Sequence, residues 1–427
     1  MAAMRESHET TPGQSGASRF GKDAILTFGL LYLAWCVSYM DRAAITFSAP
    51  AMLRDIHMSP TEQGFIVGIF YLSYSLMQTP GGWLADRFGA KAVVLAGLVA
   101  WSAFTLGTGL VQSVAALLAV RLLFGIGEGV FPAASLKALY DAVPARARDK
   151  APSALMSSNY FGYLIAPSIL LPVLAWMGWR WTFYVMSGIG FATALLVLLL
   201  APKGSAPSRD APSAPKGAGV LRALRLPGVT RLMATWFLIS FINKGLESWM
   251  PTYLLHERGV SLKEAGVLLT LPYAAATIAA LIGGWAMSRW FAQREERFIS
   301  LCVVISCAAL LAMAYCSSVL AVVGFETLLY FFKTLVFAAV LCLPGRFLPQ
   351  DIAGVGYGLI NFGGQIAGFV APPVIGTVLS MTGSYPAAFL TLLVAGVLAL
   401  ALNSALGRFK NPAGKLMTFG ADNHGTV

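Results

Sequence analysis

Charged residues make up only 11% of this 427-residue chain, and a few of them stand where charge is least expected. Asp41 and Arg42 are adjacent, deep within the first long apolar stretch. Asp41 follows Ile25 by 16 residues, which is roughly 24 Å along a helix axis. A bilayer core is about 30 Å thick, so both charges fall inside it. A charge at that depth costs on the order of 3 kcal/mol on the mildest scale, and stability alone rarely keeps such a pair. Further along, Arg121, Gly125, Glu128 and Pro132 recur on one stripe of a helix. A carboxylate in low dielectric resists ionisation unless a cation stands beside it. Deprotonated, Asp41 or Glu128 holds a nearby arginine; protonated, it frees that arginine for an incoming anion. Proton and anion binding then favour each other, which is a positive coupling free energy. The chemistry expected of Asp41 and Glu128 is therefore proton coupling, with Arg42 and Arg121 as anion contacts in a water-accessible chamber.

The elements that carry these residues are apolar and long. Hydrophobic residues make up 57% of the chain and charged ones 11%, where a soluble domain averages about 25% charged residues. Twelve stretches of spanning length are read at 24–50, 63–84, 92–111, 114–137, 151–176, 181–201, 229–254, 264–288, 298–316, 319–347, 353–380 and 385–407. Barrel strands would alternate over short segments, so the expected fold is all-α. The net charge of +11 follows topology and does not mark a nucleic-acid binder. With the amino terminus inside, 21 Lys and Arg residues fall on that side and four outside, namely Arg54, Arg180, Arg258 and Lys263. That bias predicts both termini in the cytoplasm of a cell whose inner membrane holds the protein. The polar first 22 residues and the overlong apolar run after them do not read as a cleaved signal peptide. All four histidines lie in tails or loops, and the five cysteines have no metal-ligand spacing. A membrane zinc protease or a histidine relay is excluded, and no metal or cofactor is expected beyond a driving proton gradient.

The stretch 202–219 reads as a flexible Pro/Ser/Gly/Ala linker. It leads to a division into a tail at 1–23, a six-helix bundle at 24–201, a linker at 202–228, a second bundle at 229–408 and a tail at 409–427. The halves align without a gap at an offset of 202. Trp83 pairs with Trp285, Arg87 with Arg289, Tyr71 with Tyr273, Asn159 with Asn361, and Asp41-Arg42 with Asn243-Lys244. Two parallel repeats related by an axis along the membrane normal are the architecture of the major facilitator fold, with its ligand site at mid-membrane between them. The expected fold is thus twelve transmembrane helices in two pseudo-symmetric six-helix bundles.

The segment GGWLADRFGAK at 81–91 strongly resembles the loop between the second and third helices of the major facilitator superfamily. By that resemblance Asp86 and Arg87 stabilise a closed cytoplasmic gate and do not touch substrate. Tyr39-x-Asp41-Arg42 together with Arg121-x-x-x-Gly125-x-x-Glu128-x-x-x-Pro132 resembles the anion:cation symporter family. That family includes bacterial carriers of sugar acids and aromatic acids and relatives of sialin and the vesicular glutamate transporters. The resemblance implies that Asp41 and Glu128 are protonation sites and that Arg42 contacts the anion.

Other polar residues fall within the spans. Tyr39 and Tyr74 are either substrate contacts or aromatic packing, and Tyr273 joins them as a candidate contact. Asn159, Asn361 and Gln365 either donate to substrate hydroxyls or bond neighbouring helices. Glu326 and Lys333 lie seven apart, and mutual compensation is the first expectation for them. Lys244 and Glu247 are three apart, so either they neutralise each other or Lys244 is a second cation opposite Arg42. The latter would suit a substrate with another anionic group. It departs from the sugar-acid pattern, and the Trp-x-Pro-Thr-Tyr end at 249–253 also resembles organophosphate antiporters. The expected function is proton-coupled symport of a small organic anion by a monomer, with anion antiport as the alternative and a transporter-like sensor behind it. Asp41 is the only aspartate well inside a span, which leaves an intramembrane aspartyl protease without its pair.

Overall fold

Each half of the chain opens its second helix with the same device. Ser59 accepts a hydrogen bond from the Glu62 backbone while the Glu62 carboxylate returns to the Ser59 backbone, and Ser261 and Glu264 do the same. This reciprocal cap satisfies amide groups that a helix start leaves unpaired. The two caps are separated by the repeat offset of 202. Two residues ahead of each cap the chain turns through the left-handed region, at His57 (φ 54°) and Gly259 (φ 62°). Glycine adopts that conformation freely, whereas His57 does so against the usual steric cost.

In this computed structural model the described residues are 21–144, 151–202, 217–291, 294–342, 348 and 353–406. Their regular elements are helices, with no strand among them. Span 1 is Lys22–Asp55, span 2 Pro60–Phe88, span 3 Ala90–Leu110, span 4 Val114–Ala142, span 5 Ala151–Met177 and span 6 Trp179–Leu200. Span 7 is Pro227–Thr252, continued by a π-helical turn at Tyr253–Glu257. Span 8 comprises Leu262–Leu268 and Thr270–Trp290, followed by span 9 at Glu295–Tyr315 and span 10 at Val319–Cys342. Span 11 is Ala353–Thr382 and span 12 is Tyr385–Leu406. Span 4 breaks at Val130, just ahead of Pro132, because a proline ring removes a hydrogen bond from the preceding turn. Of the linker read at 202–228, residues 203–216 lie outside the described ones, Gly217–Leu224 is helical, and Pro227 already opens span 7.

Ten of these helices are long and apolar enough by themselves to cross a bilayer. Spans 2 and 7 fall short because they carry polar groups such as Gln63, Ser73, Ser75, Glu247, Ser248 and Thr252, all of them buried. Both are packed on the opposite half, so their polar side chains face protein and not lipid. Span 2 meets span 11, span 5 meets span 8, and span 1 meets span 7. The repeat carries each seam onto its counterpart, and Arg54 donates to its own equivalent, His256, at 3.3 Å from Nε.

The halves close tightly on the side away from the termini. Thr61 and Ser380 share a hydrogen bond of 2.9 Å, and Gln63 donates to Thr252 at 3.2 Å. There Gly64 and Gly68 of span 2 lie against the Phe369–Pro373 backbone of span 11, the close approach that small residues allow between membrane helices. A Cβ on Gly64 would fall 2.6 Å from Pro373 Cα, and one on Gly68 2.7 Å from the Phe369 oxygen. Gly68→Val is therefore expected to cost about 1–3 kcal/mol of stability, seen as a lower thermal midpoint in detergent. An unchanged midpoint would mean that this seam is looser than described.

Candidate functional site

Span 1 places Ser38 and Arg42 four residues apart, hence on one face, and that face meets Glu128 of span 4. Arg42 Nε donates to Glu128 Oε1 at 2.8 Å, and Ser38 Oγ donates to the same oxygen. Arg42 Nη2 is also 2.8 Å from it, but at an angle that makes no hydrogen bond, so Nε carries the directed contact. The guanidinium lies between two rings, 4.5 Å from the centre of Tyr39 and 4.4 Å from that of Tyr74. Desolvated cation–π contacts of this kind contribute about 2 kcal/mol. Asp41, about 100° further round the helix, points instead into the bundle, where Thr105 Oγ1 of span 3 donates to it at 2.8 Å.

Arg121 rests over Phe124 at 4.4 Å and has no carboxylate within ion-pair distance among the described residues. Two turns along one helix keep Arg121 and Glu128 apart, as their spacing implies, and Glu128 finds its cation on span 1. Four atoms of this cluster, Asp41 Oδ1, Arg42 Nη2, Glu128 Oε2 and Arg121 Nε, are buried without a hydrogen-bond partner. Such orphans are rare in folded proteins and call for a reason. The expected open chamber is not what these side chains see. Asp41, Arg42, Arg121 and Glu128 are 1%, 4%, 2% and 0% exposed, because helices 1 to 4 close around them. A cavity of about 280 Å³ lies elsewhere, between spans 1, 3, 4 and 6 beside Asp23, Lys91 and Asp141.

In the other half, Lys244 and Glu247 pair directly at 2.9 Å. Glu247 is nonetheless tied across the halves, since Oε1 accepts from Tyr71 OH at 3.0 Å and from Tyr163 OH. Lys244 Nζ also donates to Tyr71 OH at 2.7 Å. Glu326 and Lys333 do not compensate each other. Seven residues separate them by about 10 Å along the axis, and Lys333 turns to the Asn243 carbonyl of span 7 and over the Tyr330 ring. Glu326 is left buried, with Oε2 unpartnered. Tyrosines join the two clusters: Tyr39 meets Tyr163 edge-on at 5.2 Å, and Tyr163 stacks on Tyr273 at 4.7 Å.

The remaining sequence candidates separate. Among the described residues Asn159 donates to Met156 Sδ at 3.8 Å, and its carbonyl is buried without a partner there. Its repeat equivalent Asn361 is exposed and donates across the halves to Gln78 at 3.3 Å. Gln365 is half-buried on span 11. Asp86 pairs with Lys137 of span 4, and Arg87 lies over Trp83 at 5.3 Å, so both are engaged within their own half. Sequence reasoning missed Thr105 and Tyr163 as site residues and used Tyr71 only as a repeat marker. Tyr163 stands one turn after Asn159, a spacing that could have flagged it. A lone threonine in an apolar span carries no such signal.

A family model described as Major Facilitator Superfamily matches residues 31–372. The chain belongs to that superfamily. Like the rest of the superfamily it is a multi-pass membrane transporter, not an enzyme. Its relatives include a "Probable galactarate/D-glucarate transporter" of Escherichia coli (strain K12), 27% identical over 87% of this chain and 90% of that protein. A "Hexuronate transporter" of Bacillus subtilis (strain 168) is 27% identical over 92% of this chain and 96% of that one. These named cargoes accord with the resemblance to anion:cation symporters. Among solved structures, a bacterial homolog to the human lysosomal transporter Spinster, inward-facing and occupied, superposes with a TM-score of 0.78 at 16% identity, over 91% of this chain and 97% of that one.

For this superfamily member the buried Arg42–Glu128 pair makes a stability prediction. Glu128→Leu alone strands a buried cation and is expected to destabilise the protein by about 3–5 kcal/mol. Adding Arg42→Met should restore much of that loss in thermal unfolding, and a double variant no better than the single one would contradict the pairing.

Proposed function

We propose that the protein is a proton-coupled symporter of small organic acid anions, working by alternating access. The observation that carries the reading is a buried cation, Arg42, held by a carboxylate that can be neutralised, Glu128. Protonating Glu128 removes the counter-charge and releases the guanidinium to a carboxylate on the substrate. Tyr39 and Tyr74 keep it positioned meanwhile. Asp41, bonded to a neutral threonine rather than a cation, is the second proton site, and Arg121 is the cation that answers its charge. The relatives' names support an acid as cargo. Asn159, with a free buried carbonyl, and Tyr273, Asn361 and Gln365 on the opposite half complete the substrate contacts. Asp86 and Arg87 belong to the gate on the side of the termini, and the Lys/Arg bias supports placing that side in the cytoplasm. The protein acts as a monomer in the inner membrane.

Asp41→Asn and Glu128→Gln, reconstituted in proteoliposomes, are each expected to abolish accumulation of a radiolabelled acid against its gradient. Downhill counterflow should survive, and unchanged uphill uptake in both variants would end the coupling assignment. Arg42→Ala is expected to weaken binding by about 10- to 100-fold, the worth of a charged hydrogen bond. Unaltered affinity in isothermal titration would move the anion site elsewhere.

A further inference from the structure

Glu247 occupies a polar pocket that it does not itself build. The donors converging on its carboxylate are Lys244 Nζ at 2.9 Å, Tyr71 OH at 3.0 Å and Tyr163 OH, with Asn243 Nδ2 at 3.5 Å. The lysine and the asparagine come from span 7, whereas the tyrosines come from spans 2 and 5 of the other half. The set is complete only where the two bundles meet. An ammonium and two phenols around one carboxylate are what an enclosed anion site requires.

This arrangement stands one layer of rings away from the first cation. The Arg42 guanidinium covers Tyr39, Tyr39 meets Tyr163 at 5.2 Å, and the Tyr163 hydroxyl reaches Glu247. Lys333 adds positive charge behind the pocket through Asn243, which its ammonium contacts. Arg42 and Lys244 also occupy equivalent positions in the two repeats. A molecule lying across the axis between the halves would therefore meet a cation at each end.

We propose that Lys244, Tyr71, Tyr163 and Asn243 form a second anion subsite, filled here by the chain's own Glu247, which receives the distal acid group of a two-acid substrate such as a short dicarboxylate. The proposal rests on Arg42 gripping the first acid group. Glu247 then acts as a built-in stand-in for the ligand. It keeps Lys244 compensated while the site is empty and swings aside when the second carboxylate arrives. Selectivity for diacids over monoacids follows, because a neutral end group cannot repay the displacement of Glu247 from its four donors.

The test compares D-glucarate with D-gluconate, which bears a hydroxymethyl group in place of the second carboxylate, by isothermal titration of the purified full chain. Wild type is expected to bind glucarate at least about tenfold more tightly than gluconate, the worth of one charged hydrogen-bonded contact. Lys244→Gln should erase that preference by weakening glucarate alone, and Tyr163→Phe should reduce it. Glu247→Gln removes the competitor and should tighten glucarate about tenfold with gluconate unmoved, a gain that misfolding cannot imitate. Equal affinity for the two acids in wild type, or equal shifts for both in Glu247→Gln, overturns the subsite. Loss of both ligands in Arg42→Ala supports the underlying anion reading. Retention of both there, or no binding of either by wild type, overturns that reading and the subsite with it.

Discussion

The structure depends on one electrostatic constraint. A charge taken into the membrane must find its counter-charge or donors inside the protein, and Arg42 and Asp41 find theirs on other helices. Arg42 of span 1 is held by Glu128 of span 4, and Asp41 turns to Thr105 of span 3. Neighbours in sequence are thereby committed to different partners in space. The result ties spans 1, 3 and 4 to one another and leaves the Arg42 guanidinium against the rings of Tyr39 and Tyr74. Leaving Asp41 Oδ1, Glu128 Oε2 and Arg121 Nε unpartnered is a poor arrangement for stability alone. It is a reasonable one for groups that must exchange protons or partners.

The internal repeat organises how the blocks meet. Because each half contributes an equivalent face, the seam between spans 2 and 11 has its counterpart in that between spans 5 and 8. The glycine-to-proline contacts at Gly64 and Gly68 let the first seam close to backbone distance on the side away from the termini. Spans 2 and 7 fall below the apolarity of an ordinary transmembrane helix because their polar residues are buried within protein, Gln63 and Glu247 among them against the opposite half. Rocking of one block against the other would separate these surfaces without disturbing either bundle's core.

The two halves do not use their repeated cation in the same way. Arg42 is countered by a distant residue on another helix, whereas Lys244 is countered by Glu247 one turn away. Glu247 in turn binds tyrosines of the opposite half, so this carboxylate is both a local counter-ion and a tie between bundles. A group that joins the halves and neutralises a cation at once links the charge state of the centre to the closure of the seam.

Much of the architecture was legible in the chain itself. Apolar length and the 202-residue offset report periodicity and composition, properties that every residue of a helix or loop contributes to and that survive without coordinates. The cost of intramembrane charge likewise marked Asp41, Arg42, Arg121, Glu128, Lys244 and Glu247 from their positions alone. Which charge met which partner was not legible. Glu326 and Lys333 shared a helical stripe, yet Lys333 turned to Asn243, and Lys244 and Glu247 formed their local pair while also engaging Tyr71 and Tyr163. Thr105 and Tyr163 became visible only once helices distant in sequence were side by side. Spacing along one helix determines which residues share a face, but tertiary packing decides what that face touches, and in a low dielectric the nearest well-directed donor wins.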